Sequence, residues 1–319
     1  MKRLSKAKYI LFVGGLFFSL SVFGQQAPIF TQYNRSYMFV NAGYAGLDKG
    51  ICARAIVRQQ WVGFKDANGN NVAPRDFLVS VDAPVQILGG GLGLSILQDQ
   101  IGFQKDIDLQ VAYSYHWTID AGIIGIGGGI NFTNRTIDFS KFNPAQSNDP
   151  ALLGSAKSDM LMDGNLGAFF KGQNFYIGIS GTNIFQSKGK NLSTSGTAIK
   201  YQTDRTLYFV SGYSFILPNH PKFKVEPSLM VQTDLVSTQY NISTIVTYNS
   251  KFWGGLNYRP QESVGFLIGV LIKGIRVGYS YDLPTLPVGL AGSHEITLSY
   301  CFKIKREKTK TRYKNTRYL

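Results

Sequence analysis

Residues Asp106 to Trp117 read DIDLQVAYSYHW, a strict two-residue alternation. The even positions, Asp106, Asp108, Gln110, Ala112, Ser114 and His116, are polar or small. The odd positions, Ile107, Leu109, Val111, Tyr113, Tyr115 and Trp117, are apolar and turn aromatic at one end. Side chains point alternately to the two faces of a strand, so this stretch is a strand with one wet and one greasy face. It is long for an ordinary strand and matches the ~10 residues that a tilted strand needs to cross a bilayer. Tyr and Trp at its end suit a membrane–water interface.

The pattern recurs. It predicts fourteen strands, at roughly 50–60, 75–83, 90–98, 105–117, 122–136, 163–172, 174–184, 203–215, 222–233, 237–249, 251–259, 262–273, 274–282 and 293–305. Outward sets include Phe77, Val79 and Val81; Phe175, Ile177 and Ile179; Tyr240, Ile242, Thr244, Val246 and Tyr248. Others are Val264, Phe266, Ile268, Val270 and Ile272; Ile275, Val277, Tyr279 and Tyr281; and Ile296, Leu298, Tyr300, Phe302 and Ile304. None carries a charge, as a lipid-facing surface requires, because a midplane Lys or Arg costs ~2–4 kcal/mol there. Pro227 interrupts the ninth strand, since proline cannot donate to a ladder. The long connections, 61–74, 137–162, 185–202 and 283–292, follow odd strands, while short turns follow even ones, with a short exception near Pro260. In bacterial barrels long loops face outward, which puts both termini in the periplasm. The fold expected is an all-β transmembrane antiparallel up-and-down β-barrel.

Composition agrees. Only 16% of residues are charged, while the chain holds 35 Gly, 18 Tyr and 22 Phe. The net charge of +14 is concentrated at the ends, in Lys2, Arg3, Lys6 and Lys8 and in eight Lys or Arg after residue 302. The body is nearly neutral, with no basic patch for a nucleic acid. Residues 1–24 read as a signal peptide, with basic residues, an apolar core over Tyr9 to Phe23, and Val22 and Gly24 placed for cleavage before Gln25. That core is short for a membrane anchor. The organisation expected is a signal peptide (1–24), an N-terminal segment in the lumen or the periplasm (25–49), the barrel (50–305) and a basic tail (306–319). The tail is either a solvated run or a contact for an acidic periplasmic partner.

No motif calls for a metal, a cofactor or catalysis. Gly89-Gly90-Gly91 and Gly125-Ile126-Gly127-Gly128-Gly129 lack the Walker and dinucleotide patterns and read as small wall residues. His116 lies two residues from Ser114, but no nucleophile elbow accompanies them. Cys52 and Cys301 fall on the inward parity of the first and last strands, where they are either a disulfide stapling the seam or two free buried thiols. Inward charges gather at the same seam: Arg54, Arg58, Asp76, Asp82, Arg276 and Glu295. They brace and plug the lumen as salt bridges, or they form a docking or conducting surface.

Several stretches carry a resemblance. Phe30-Thr31-Gln32-Tyr33, Asn41 to Gly46, Arg58-Gln59-Gln60-Trp61-Val62-Gly63-Phe64, Ser80-Val81-Asp82-Ala83-Pro84 and Gly91 to Gly102 come first. Lys251-Phe252-Trp253-Gly254, Val277-Gly278-Tyr279-Ser280-Tyr281-Asp282 and Gly292-Ser293-His294-Glu295-Ile296 follow. Together they resemble the PorP/SprF family of outer-membrane proteins, linked to the type IX secretion system and gliding motility of Bacteroidetes. The resemblance implies a non-enzymatic outer-membrane accessory needed for export or attachment of surface proteins such as adhesins. The partners implied are outer-membrane lipids, a secreted cargo protein or its sorting domain, and periplasmic components of the secretion ring. A general porin or solute channel is the alternative.

Overall fold

The computed structural model describes residues 27–48, 50–142, 155–190, 201–285 and 291–303. The expected signal peptide and basic tail lie outside the described residues, as do Ile304 and parts of three long connections. The alternating segments form β1 (Gly50–Gln59), β2 (Arg75–Val85), β3 (Gly90–Ile101), β4 (Gln104–Ile119), β5 (Gly122–Asp138), β6 (Ala156–Gly172), β7 (Phe175–Thr182) and β8 (Thr206–Tyr213). They continue as β9 (Phe215–Leu217), β10 (His220–Thr233), β11 (Thr238–Tyr248), β12 (Phe252–Arg259), β13 (Ser263–Ile272), β14 (Ile275–Pro284) and β15 (Ser293–Lys303). Neighbours in sequence pair antiparallel, and β1 pairs with β15, so the sheet closes on itself and leaves no open edge. Because β8 and β9 both pair with β10, they are two pieces of one stave, and the barrel has fourteen staves.

Two details differ from the sequence expectation. The sixth strand starts at Ala156 rather than near 163, because its alternation continues with Asp159, Leu161 and Asp163 inward and Met160 and Met162 outward. The eighth is broken at Ser214. Pairing with β10 runs to Gly212–Ser228 and resumes at Phe215–Val225, so the gap falls opposite Pro227.

The strand ends that lead into connections 60–74, 139–155, 183–205 and 285–292 lie at one rim, with the short 102–103, 234–237 and 260–262. The other rim carries only turns, such as 120–121, 173–174 and 273–274, together with both ends of the barrel sequence, Gly50 and Lys303. The outward residues form an apolar belt: Val111, Trp117, Ile126, Phe266, Ile268 and Leu298 are each well exposed. Among the described residues no helix is long and apolar enough to span a membrane, and the crossings are made by strands.

The bore is occupied by the chain's own N-terminal segment. Residues 27–48 run from the loop rim, where Ala27 O accepts from the Gln232 side chain, to the turn rim, where Asp48 pairs with Lys171. Short helical turns at Tyr33–Arg35, Tyr37–Val40 and Ala42–Tyr44 break the extended path. Of the two placements open to this segment, the described part takes the lumen. Phe30, Tyr33, Met38, Ala42 and Ala45 are each no more than 2% exposed.

Inward glycines make room for it. A side chain on Gly125 would meet Gly43 O at 2.2 Å, and one on Gly127 would meet Ala42 O at 2.5 Å. The glycine run of β5 is therefore small for a stronger reason than lining a wall: plug backbone lies directly on wall backbone.

The placement of β4 generates a depth test. Val111 lies at the middle of the strand and Trp117 near the turn rim, both outward. Val111→Arg is expected to cost ~2–4 kcal/mol and Trp117→Arg ~0–1 kcal/mol, as read from denaturant unfolding in phospholipid vesicles. Equal costs would contradict the placement.

Candidate functional site: a plugged lumen

The plug is held by two sets of inward charges. The first gathers where β1, β12, β14 and β15 come together. Glu295 accepts from two successive main-chain N–H groups, Thr31 N to Oε2 at 2.8 Å and Gln32 N to Oε1 at 2.8 Å. Arg58 donates from one nitrogen to Thr31 Oγ1 at 2.8 Å, to Asp282 at 2.8 Å and to Glu295 at 3.3 Å. Arg259 also donates to Asp282, and Thr31 Oγ1 donates to Asp282 at 2.6 Å. Arg58, Arg259, Asp282 and Glu295 are all almost fully buried. Buried charges are tolerable only when paired and hydrogen-bonded, and here each charge finds an opposite one.

The second set lies nearer the turn rim. Asp82, fully buried, accepts from Gly46 N at 3.0 Å and pairs with Arg54. Arg54 also reaches Asp48, which binds Lys171 at 2.6 Å. Burial works against the charge on Asp48, yet Lys171 and Arg54 hold its carboxyl below the usual range.

Neutral groups complete the grip. Ser114 Oγ donates to Gly43 O at 2.9 Å, and the His116 ring lies 2.9 Å from Ala45 O. The two residues that invite a hydrolase reading are thus engaged with plug carbonyls. Asn41 donates to the carbonyls of Ala168 and Ile179, both at 3.1 Å.

The structure therefore brings Arg54 with Asp82, and Arg58 with Glu295, in separate groups at different heights along β1. Asp76 faces Arg58 across β1–β2 and Asp99 across β2–β3, outside the ion pairs. Arg276 belongs to neither group and lines a cavity at the turn rim. Cys52 and Cys301 are register partners across the β1–β15 seam and form a disulfide. Asp282, Arg259, Asp48 and Lys171 complete the two sets and escaped the sequence reading. Asp282 is the last residue of one resembling motif and Asp48 follows another, which was the available signal; Arg259 carried none.

An apolar layer that includes Tyr33, Val40, Phe169, Tyr208, Val210 and Met230 fills the lumen between two cavities. The cavity at the loop rim, about 170 Å³, is acidic, with Asp99, Asp106, Asp108 and Asp204 against one cation. That cation, Arg135, grips Asp106 and lies 3.9 Å from the centre of the Tyr201 ring. The cavity at the turn rim, about 340 Å³, is basic and aromatic, with Arg35, Lys171, Lys224 and Arg276 among Tyr37, Tyr176 and Trp253.

A closed β-barrel with a lipid-facing belt and a self-plugged lumen defines the class: an outer-membrane β-barrel protein. The chain matches the family described as type IX secretion system membrane protein PorP/SprF over residues 22–300, and it belongs to that family. No curated protein matches it. Among solved structures, the Ralstonia pickettii toluene transporter TbuX is similar in fold, with a TM-score of 0.51 at 14% identity over 85% of this chain and 94% of that one. The Acinetobacter baumannii outer membrane protein Omp33 aligns with a TM-score of 0.46 at 8% identity over 81% of this chain and 100% of that one.

Two measurements check the site. Glu295→Ala leaves Arg58 and two buried N–H groups short of a partner, and is expected to cost ~3–5 kcal/mol of unfolding free energy. Glu295→Gln, which keeps one acceptor oxygen, should cost less; the reverse order would contradict the clamp. Alkylation of the unfolded, unreduced protein should leave its mass unchanged, and reduction first should add two alkyl groups.

Proposed function

We propose that this protein is a non-catalytic outer-membrane accessory of type IX secretion, needed for the export or surface attachment of particular partner proteins such as adhesins. Membership of the PorP/SprF family links it to that system. The observation that carries the reading is the occupied bore: residues 27–48 fill it with buried side chains and main-chain hydrogen bonds to wall carboxylates, and Asp48 adds ion pairs to Arg54 and Lys171. A general porin works through a continuous water path, which a main chain clamped across the lumen opposes. On this reading the barrel is a rigid docking frame. The loop rim, including Trp61 to Arg75 and 139–155, faces outward and meets secreted cargo or its sorting domain. The turn rim, where the barrel sequence begins at Gly50 and reaches Lys303, faces the periplasm and meets components of the secretion ring, while Ala27 at the head of the plug lies at the loop rim; residues 1–24 are removed on export.

Deleting the gene is expected to leave a defined subset of surface proteins trapped in the periplasm or degraded. An unchanged surface proteome would overturn the reading. In a planar bilayer the native barrel should be electrically quiet, and a variant lacking 27–48 should conduct. Steady ion flux through the native protein would favour a solute channel instead.

A further inference from the structure

The basic cavity at the turn rim continues into the wall of the barrel. A groove of about 480 Å³ on the wall at β7, β8 and β10 is walled by the outward residues Phe175, Ile177, Tyr213, Pro227 and Leu229. Its floor includes Tyr176, Gly212 and Ser228, which belong to the inward parity of their strands. Cavity and groove share Phe175, Tyr176, Tyr213, Pro227 and Ser228. The wall is thin here because the ladder is incomplete. Between Gly212–Ser228 and Phe215–Val225 the stave and β10 do not pair, and Pro227 has no N–H to offer. On the inner side of the gap lies the ring of Tyr176. It lies against Gly212, where a side chain would meet it at 2.4 Å, and its hydroxyl bonds that of Tyr37 on the plug.

The charges behind the gap are unbalanced. Lys171 is neutralised by Asp48 at 2.6 Å, and Lys224 by Glu226 at 2.8 Å. Arg35 and Arg276 have no carboxylate within ion-pair distance among the described residues. Arg35 lies 5.7 Å from the centre of the Trp253 ring, whose buried indole edge packs on Gly269. Two guanidinium forks are donors suited to an oxyanion. The apolar groove outside suits a hydrocarbon chain, and the site sits at the rim, where lipid headgroups lie.

We propose that this is a binding site for an anionic acyl amphiphile drawn from the adjoining leaflet, with its carboxylate or phosphate head on Arg35 and Arg276 and its chain in the groove over Pro227. The lipid passes through the wall beside Tyr176, and the plug, which carries Arg35 and Tyr37, forms the inner side of the site. The site stands on the wall and the plug alone and is independent of the role in secretion.

Trp253 is a built-in reporter. With Trp61→Phe and Trp117→Phe as background, the full-length protein in zwitterionic nanodiscs is titrated with a chain-brominated fatty acid, a chain-brominated anionic phospholipid and the matching brominated alcohol. Saturable quenching by the acid, the phospholipid or both is expected, and it identifies the source of the head group. The alcohol should need at least tenfold higher concentration. Arg276→Gln, on the lumen side of β14, and Arg35→Gln, on the plug, should each weaken binding several-fold, and the Trp253 emission maximum should stay unchanged in Arg276→Gln. Quenching as strong with the alcohol, or indifferent to Arg276→Gln in a folded barrel, would overturn the proposal. Displacement by inorganic phosphate at the amphiphile's own concentration would also overturn it, because the chain would then contribute nothing.

Discussion

A single carboxylate governs the interior. Glu295 takes the main-chain N–H groups of Thr31 and Gln32 together, in a place that water does not reach. Unpaired, those two groups would make the lumen a poor location for peptide backbone. The carboxylate is itself costly to bury, and Arg58 offsets that cost; Arg58 is shared with Asp282, and Asp282 with Arg259. The chain of charges ends on the staves that close the barrel. Seam and plug therefore stabilise one another, with Cys52–Cys301 joining the same two strands at the turn rim.

Steric fit does what charge cannot. Plug carbonyls rest against Gly125 and Gly127 at distances that any side chain would forbid. Polar wall residues then reach plug carbonyls: Ser114 bonds Gly43 O, the one that rests on Gly125, and His116 lies against Ala45 O. A barrel of this strand number has a bore too wide for wall side chains to fill alone. Twenty-odd residues of its own chain fill the remainder and leave a cavity at each end. Those ends differ in sign: carboxylates line the loop rim, and Arg35 and Arg276, in no ion pair among the described residues, line the turn rim. The apolar layer around Tyr33 and Met230 lies between them.

Strand pattern was legible at close range. Thirteen of the fourteen staves stand within a few residues of where alternation places them, because each depends on a local two-residue rhythm that lipid on one side enforces. The exception, β6, begins early because its first turn outward shows Met160 and Met162, which a reader seeking aliphatic residues passes over. The inward charges were legible as residues and not as pairs. Arg54 and Arg58 occupy equivalent parity on one strand, yet one meets Asp82 and the other Glu295. Arg276 shares that parity on β14 and meets neither. Parity says which face a charge takes; its height along the barrel and the path of the plug choose its partner.

What the sequence determined by itself was the wall: its class, its two faces, its loop phase and the family to which its motifs belong. These follow from periodicity and from the cost of charge in lipid, both of which act residue by residue. Only the tertiary structure decided that residues 27–48 enter the bore, that Glu295 meets Thr31 from more than two hundred and sixty residues away, and that the wall thins beside Pro227. The plug has no period of its own, so its place is set by acceptors, glycines and cavities that exist only once the cylinder has closed.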